Sequence, residues 1–452
     1  MNKLLTIAWR NLWRNKKRTL LTVSSIVFAI LFAVIMRSQS LGMYENAIKN
    51  IINIETGHIQ SMGKGFNESQ SIDDAFFYVT ALFSFLENNK AIEKSISRLS
   101  AFGMSSTGNY TKETFIMGME VAKEGNTFAR NITVGEMITD SSNSVLIGEV
   151  LAHYLKIIEY DTELELRLPN DSIIKKRIQN DTSNFTIGQT YEDKTIVFIA
   201  KKPRMVKDSI IIIGAGYQGA SAAAIYHVAG IMKLPLPDMN KRIVVMNIKT
   251  CQDFLHAPGI ISTVNIYLND DSKLEQATAD LKASVDMQKF DIYKWKTLKE
   301  ELVQQIDSDN KSGLIFMFLL YLIIGFGILG TIIMMTHERK KEFAVMVALG
   351  LKKHLLIFTV TIENLFIALL GSLGGILISI PIIFYFYLNP IRMEEEMAKS
   401  IENMGWEAVI PFSTDVSIFV SQTIIVLILF AVASLYPLFK IKNFNVIASL
   451  RG

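Results

Sequence analysis

Three glycines, Gly214, Gly216 and Gly219, end the apolar run SIIIIG in a Gly-x-Gly-x-x-Gly pattern, with Asp238 downstream. In a dinucleotide-binding turn such glycines let the backbone approach a pyrophosphate at a helix N-terminus, and a later carboxylate bonds the ribose. That chemistry needs a helix after the turn, yet AIYHVAGIM reads as a strand with Gly230 inside it. The same spacing recurs at Gly325, Gly327 and Gly330 inside an apolar run where no cofactor could bind. A loop between two strands is the expectation, its glycines permitting tight turns. Other catalytic patterns are missing. The chain has no Gly-x-x-x-x-Gly-Lys-Ser/Thr loop, no Gly-x-Ser-x-Gly elbow, no His/Cys metal cluster and no chain of intramembrane carboxylates. A non-catalytic chain is expected, with no metal and no cofactor of its own. Cys251 is the single cysteine, so no internal disulfide forms, and it reads as a buried small hydrophobe.

The elements that surround these residues are dominated by membrane spans. The chain has 452 residues, 50% of them hydrophobic, and a net charge of +3, a balance that argues against nucleic acid as a partner. Apolar residues concentrate at both ends. Uncharged runs of bilayer length lie at Thr19–Met36, Gly313–Thr336, Leu355–Ile391 (interrupted only by Glu363) and Val416–Phe439. The first reads as an uncleaved anchor, because its basic flank is long and no small-x-small site precedes Ser38. Lys3, Arg10, Arg14, Lys16, Lys17 and Arg18 precede it without an acid; Arg339, Lys340, Lys341, Lys352 and Lys353 lie between the second and third; Lys440, Lys442 and Arg451 follow the fourth. The loop RMEEEMAKSIENMGWEAVIPFSTD is acidic. The positive-inside rule then puts both termini in the cytoplasm.

The expected fold is an α-helical membrane protein with four transmembrane helices and a large α+β extracytoplasmic domain inserted between helices 1 and 2. Residues 1–18 form a cytoplasmic interfacial helix, on the spacing of Leu4, Leu5, Ala8, Leu12 and Trp13, or else a plain basic flank. Transmembrane helices occupy 19–41, 312–336, 354–388 and 415–439. The extracytoplasmic domain covers 42–311 in two subdomains, a cytoplasmic loop 337–353, an extracytoplasmic loop 389–414 and a cytoplasmic tail 440–452. Within 42–311, strands are read at SVLIG, ELELRL, TIVFIA, SIIIIG, AIYHVAGIM, RIVVMNI and STVNIYL, and helices at SFLENNKAIEKSISRL, GEVLAHYL, TCQDFLHA and KLEQATADLKASV. WKTLKEELVQQIDSDNKSG either runs unbroken into the second span or stops at Ser312-Gly313.

Inside the spans, Gly371 and Gly375 make a small-xxx-small pair beside Gly374, suited to close helix approach in a dimer seam or within one subunit. Glu363 is read as an interface carboxylate that snorkels, with a hydrogen bond inside the bundle as the other possibility. Pro381 would kink the outer half of its span. The loop after the second span places Phe343, Val347 and Leu349 in helical spacing before Gly350 stops the helix. Such a segment is either a topology flank or a helix that docks on a cytosolic partner.

The run HERKKEFAVMVALGLKKHLLIFTVTIENLFIALLGSLGGIL resembles the coupling-helix and third-span segment of FtsX-like, MacB-type ABC transporter permeases, as do the ends AWRNLWRNKKRTLLTV and LYPLFKIKNFNVIASLRG. FIMGMEVAKE, NSVLIGEVLAHYLKI, YHVAGIM and RIVVMNIKTCQDFL resemble, more loosely, the lipoprotein-releasing (LolC/LolE) branch. That branch docks a periplasmic carrier through a proline-bearing hook loop, for which residues 166–207 offer no counterpart. The resemblance implies a permease subunit of the bacterial inner membrane, dimeric with itself or a second permease. A separate cytosolic ABC ATPase dimer would bind ATP and Mg. Glu338, Arg339, Lys341, Glu342, Phe343, Val347, Leu349 and Gly350 would form the ATPase-binding coupling helix. Membrane lipids, a lipoprotein or a periplasmic carrier are the remaining implied partners. Lipoprotein release, or export of another hydrophobic or peptide substrate, is the implied function; the alternative is a non-transporting regulator that mechanically activates an exported enzyme such as a cell-wall hydrolase.

Overall fold

The structure is a computed structural model. It describes the chain apart from residues 1–5, 7, 8, 11, 15, 169–171, 180–188, 192–193, 394, 404–405 and 443–452. Much of the interfacial helix expected over 1–18, and most of the tail expected over 440–452, lie outside the described residues; Thr6, Trp9, Arg10 and residues 12–14 are helical. Two compact units make up the chain: one of residues 1–47, 301–395 and 408–452, the other of residues 48–300 and 396–407.

Among its described residues, the first unit holds four helices long and apolar enough to cross a membrane. The first, Lys16–Ile51, runs well past the boundary expected at 41, because GMYENAIKNI has no proline and its one glycine, Gly42, costs only about 1 kcal/mol in a helix. It tightens into a π-helical turn, Ile52–Thr56, and ends at Gly57 with φ 68°. The second, Glu300–Glu338, is one unbroken helix, so the chain does not stop at Ser312-Gly313 and the boundary expected at 312 falls inside it. The third is Lys353–Leu388, with Pro381 inside it. The fourth, Val416–Ala433, is capped by Asp415, whose side chain accepts from the N–H of Ser417 at 2.8 Å. A further helix, Leu435–Lys442, follows. Pro437 accounts for the break: it has no N–H for the carbonyl of Ala433 and its ring crowds that position. Ile26, Ile30, Val34, Ile328, Ile332, Ile367, Val426 and Phe430 form the shared core.

The second unit is α+β. A ten-stranded mixed sheet runs Ser209–Ala215, Ser221–Met232, Ser144–Gly148, Ile243–Asn247, Thr111–Met119, Ile92–Ser106, Thr263–Leu268, Ile59–Gly63 and Phe290–Lys294, with Ile132–Gly135 joined to Ser221–Met232. Ser209–Ala215 also pairs with Ile92–Ser106, so the first six strands close into a ring and share no free edge there. Neighbouring residues face opposite cores: Ile116, Val145, Ile147, Val244 and Met246 join one cluster, Met117, Leu146 and Val245 the other. Burial on both faces explains why these strands read as continuous apolar runs without alternation. A separate four-stranded antiparallel sheet contains Ile158–Arg167, Ile173–Ile178, Thr190–Tyr191 and Lys194–Met205.

One element reverses an expectation. SFLENNKAIEKSISRL is read from the sequence as a helix, but the helix is Thr80–Asn88 and the rest begins the long strand Ile92–Ser106. Ile92, Ile96 and Leu99 mimic a helical stripe. The strand wins because residues 96–101 are all buried, with Arg98 onward paired to Thr111–Met119 and residues 92–98 paired to Thr263–Leu268.

Candidate functional site

The short helix Lys340–Ala348 follows the second apolar helix after one non-helical residue, Arg339, with φ −91° and ψ 4°. A helix this short does not hold in water alone, so its packing must stabilise it. Phe343 and Ala344 are buried against Leu356, Val360 and Ile441, with Met346, Val347 and Leu351 at the margin. Its end is a Schellman closure. Gly350 adopts φ 97°, its N–H donates to the Val347 carbonyl at 3.0 Å, and the N–H of Leu351 donates to the Met346 carbonyl at 3.0 Å. Met346 and Leu351 both border the same cluster, as that motif requires.

Four charged side chains run through the site. Arg339 makes a two-point contact with Glu363, through Nη1 to Oε2 and through Nη2 to Oε1, the latter at 3.3 Å. Its Nε lies 3.5 Å from Glu342 Oε2, and its guanidinium carbon stands 5.1 Å from the centre of the Phe343 ring. Glu342 in turn accepts from Arg14 Nη2 at 2.7 Å. Burial works against the Arg339 charge, but the hydrogen bonds and attraction of Glu363, joined by Glu342, hold its pKa above the ordinary value.

Two sequence readings change here. Glu363 does not snorkel: its side chain is 4% exposed and its partner Arg339 is 12% exposed, so the carboxylate is satisfied inside the bundle. Arg339 and Phe343, expected to contact an ATPase, are spent on contacts within the chain. Val347 is half-buried in the same cluster, and Glu342 is shared between Arg14 and Arg339. Exposed on this helix and its flanks are Glu338, Lys341, Val345, Leu349 and Gly350. Leu349 is 83% exposed, a large apolar side chain with nothing of its own unit over it.

Sequence reasoning missed Arg14, which stood only as part of a basic flank. Nothing local marks it, since Arg14 and Glu342 meet across most of the chain. Gly371, Gly374 and Gly375 fall together against the first helix of the same chain. A Cβ on Gly371 would lie 2.6 Å from Ile26 Cβ, one on Gly374 would lie 3.0 Å from Val27 Cγ2, and one on Gly375 would lie 2.9 Å from Ile30 Cβ. Close packing within one subunit is therefore what these glycines do, and the dimer-seam alternative is set aside.

The glycine motif of the inserted domain forms a hairpin. Ser209–Ala215 and Ser221–Met232 pair antiparallel, with Ala215 opposite Ser221, and Gln218 and Gly219 take φ 55° and 73° in the turn. No helix follows, so the pyrophosphate cradle is absent. Cys251 is fully buried, and burial pushes its thiol up to about 12. It packs so closely on Gly118 that a Cβ there would lie 2.5 Å from Cys251 Cβ.

Residues 314–446 match the family model described as FtsX-like permease C-terminal. Over 139 residues the chain is 26% identical to an uncharacterized ABC transporter permease protein of Mycobacterium tuberculosis, covering 30% of this chain and only 16% of that protein. Among solved structures, the periplasmic region of MacB from Actinobacillus actinomycetemcomitans aligns with a TM-score of 0.32 and 13% identity, over 57% of this chain and 97% of that one. The extracellular domain of the noncanonic ABC-type transporter YknZ from Gram-positive bacteria aligns with a TM-score of 0.28 and 9% identity, over 52% of this chain and 98% of that one.

Proposed function

We propose that this chain, which crosses the membrane several times and carries an FtsX-like permease C-terminal region over residues 314–446, is the permease subunit of an ABC transporter. It sits in a bacterial inner membrane with both termini cytoplasmic, a reading supported by the basic flanks at Lys16, Lys17, Lys340, Lys341, Lys352 and Lys353. A separate ATPase dimer supplies ATP and Mg, and a second permease copy or homologue completes the membrane part. The substrate class is a lipoprotein or another hydrophobic or peptide molecule, moved or released through motion of the inserted α+β domain, which lies outside the cytoplasm.

One observation carries this reading. The helix Lys340–Ala348, inside the matched segment, is fixed at both ends: by the Arg339–Glu363 pair at its start and by the Gly350 closure at its finish. A surface element held that firmly passes on a push applied to it instead of absorbing it. Its outward groups, Lys341, Val345 and Leu349, make a mixed cationic and apolar patch of the kind that seats in a groove on a partner. Lys341→Glu combined with Leu349→Asp leaves the buried half untouched. In native membranes the double variant is expected to lose co-purification of the ATP-binding chain and its vanadate-sensitive ATPase activity. Undiminished recovery of both would remove this helix from the interface.

A further inference from the structure

We propose that the inserted domain holds a binding cleft for the free carboxylate end of a short apolar peptide. The proposal does not depend on the permease reading. The cleft has a volume of about 270 Å³ and opens over the strands Ile59–Gly63, Ile92–Ser106, Thr111–Met119 and Thr263–Leu268. Its floor is polar although buried: Gln60, Arg98, Ser100 and Thr263 are all more than nine-tenths covered. Part of this floor is bonded already, Gln60 Nε2 donating to Asn265 Oδ1 at 2.6 Å and Ser100 Oγ lying 3.0 Å from Ser262 Oγ, so what it offers a ligand is the remaining acceptor positions and the Thr263 hydroxyl.

Most of the charge in and under the cleft is already matched. Arg98 is clamped on Glu124, with Nε to Oε1 at 3.0 Å, and its Nη1 donates to the Glu55 carbonyl at 2.9 Å. Lys299 Nζ lies 2.6 Å from Glu55 Oε1. Arg242 is the exception. It stands exposed at the rim with its guanidinium carbon 6.0 Å from the centre of the exposed Phe102 ring. No carboxylate pairs with it among the described residues. An arginine laid over a ring keeps its N–H fork open in the plane of the guanidinium, the geometry that takes a carboxylate by two parallel bonds.

The remaining wall is apolar, formed by Phe66, Phe115, Met117 and Met239. A ligand that satisfies all three regions carries a carboxylate for Arg242, an apolar side chain for the wall and amide groups for the floor. A fatty acid matches the first two, but it has no N–H group for the acceptor positions that the floor keeps open. The volume is below the roughly 300–1,000 Å³ of drug-sized sites, so the last one or two residues of a peptide fill it and the rest stays outside.

The test uses the full chain in lipid nanodiscs, titrated with acetylated dileucine, its C-terminal amide and decanoate, with binding read by calorimetry and ligand-observed NMR. The free acid is expected to bind saturably, and the amide at least about tenfold more weakly, the size of one lost charge-assisted contact. Arg242→Gln should weaken the acid by a similar factor, leave the amide unchanged and keep the melting temperature of the wild type. Arg242→Lys, which keeps the charge and loses the fork, should fall between them. Absence of saturable binding by the acid, equal binding of acid and amide, or an Arg242→Gln variant as tight as wild type would each overturn the carboxylate site. Decanoate binding as tightly as the peptide would overturn the assignment to a peptide.

Discussion

Glu363 lies within a helix that is otherwise uncharged from Leu355 to Leu388, where a lone carboxylate would be strongly disfavoured. What makes it tolerable is Arg339, which comes in from the preceding helix end and satisfies both carboxylate oxygens. The two residues therefore behave as one unit, and removing one is worse than removing both. Glu363→Leu alone strands a mostly buried guanidinium and is expected to cost about 3–5 kcal/mol, by the general cost of breaking a buried pair. Arg339→Met with Glu363→Leu should return most of that stability, read by thermal unfolding in detergent. A double variant as damaged as the single one would show that the pair is not what holds this corner. The sequence displayed both residues but not their union: Glu363 stood out as an anomaly, Arg339 as one of several loop cations, and only the turn at Arg339 brings them together.

At the level of elements, much was legible where local chemistry and burial agree. The four apolar helices, the hairpin around Gly214–Gly219, and the strands near 144–148, 243–247 and 263–268 all follow from run length and turn residues. Strands Ile59–Gly63 and Phe290–Lys294 were not legible, because pairing partners far along the chain decide them, and Thr111–Met119 lies between the neighbouring strand Ile92–Ser106 and the distant Ile243–Asn247. Helix ends were misplaced for a different reason: apolarity marks the bilayer, whereas the helices Lys16–Ile51 and Glu300–Glu338 continue through polar sequence. The contact between the third helix and the first can be tested directly. Gly371→Ala forces a methyl group against Ile26 and is expected to lower stability by about 1–3 kcal/mol, as overpacking does. Ile26→Ala empties a buried site and is costly by itself, but in the same chain the two losses should sum to less than their separate values, since it removes Cγ2 and Cδ1 while leaving the Cβ that is nearest. Strict additivity of the two losses would argue against this helix pair.

For the whole molecule, titrating groups frame the pH range of stability. Asp291 is partly buried, which alone would raise its pKa, but hydrogen bonds from Lys64 and the Gly65 N–H hold it below the ordinary value. Asp161 is likewise held low by Arg204 and Arg177 despite its burial. Depressed carboxylates contribute stability above their unfolded pKa and lose it as the pH falls through their folded values, so stability should decline below about pH 4. Cys251 acts at the other end: burial raises it from its ordinary 9.0 to about 12. The unfolded chain gives up that proton first, so the contribution is complete below 9.0 and declines as the pH rises towards 12. Unfolding measured from pH 3 to 11 should show both limbs, and Cys251→Ala should flatten the alkaline one; an unchanged alkaline limb would assign it to other groups. The sheet order carries a consequence in time. All six ring strands lie between residues 92 and 247, so the ring can close on a growing chain. Strand Ile59–Gly63 cannot join so early: Ile59 pairs with Ile266 on one side and Lys294 on the other, partners made about 200 residues later. Its unpaired edges therefore wait, open to wrong partners, for an interval set by how soon residue 294 is synthesised.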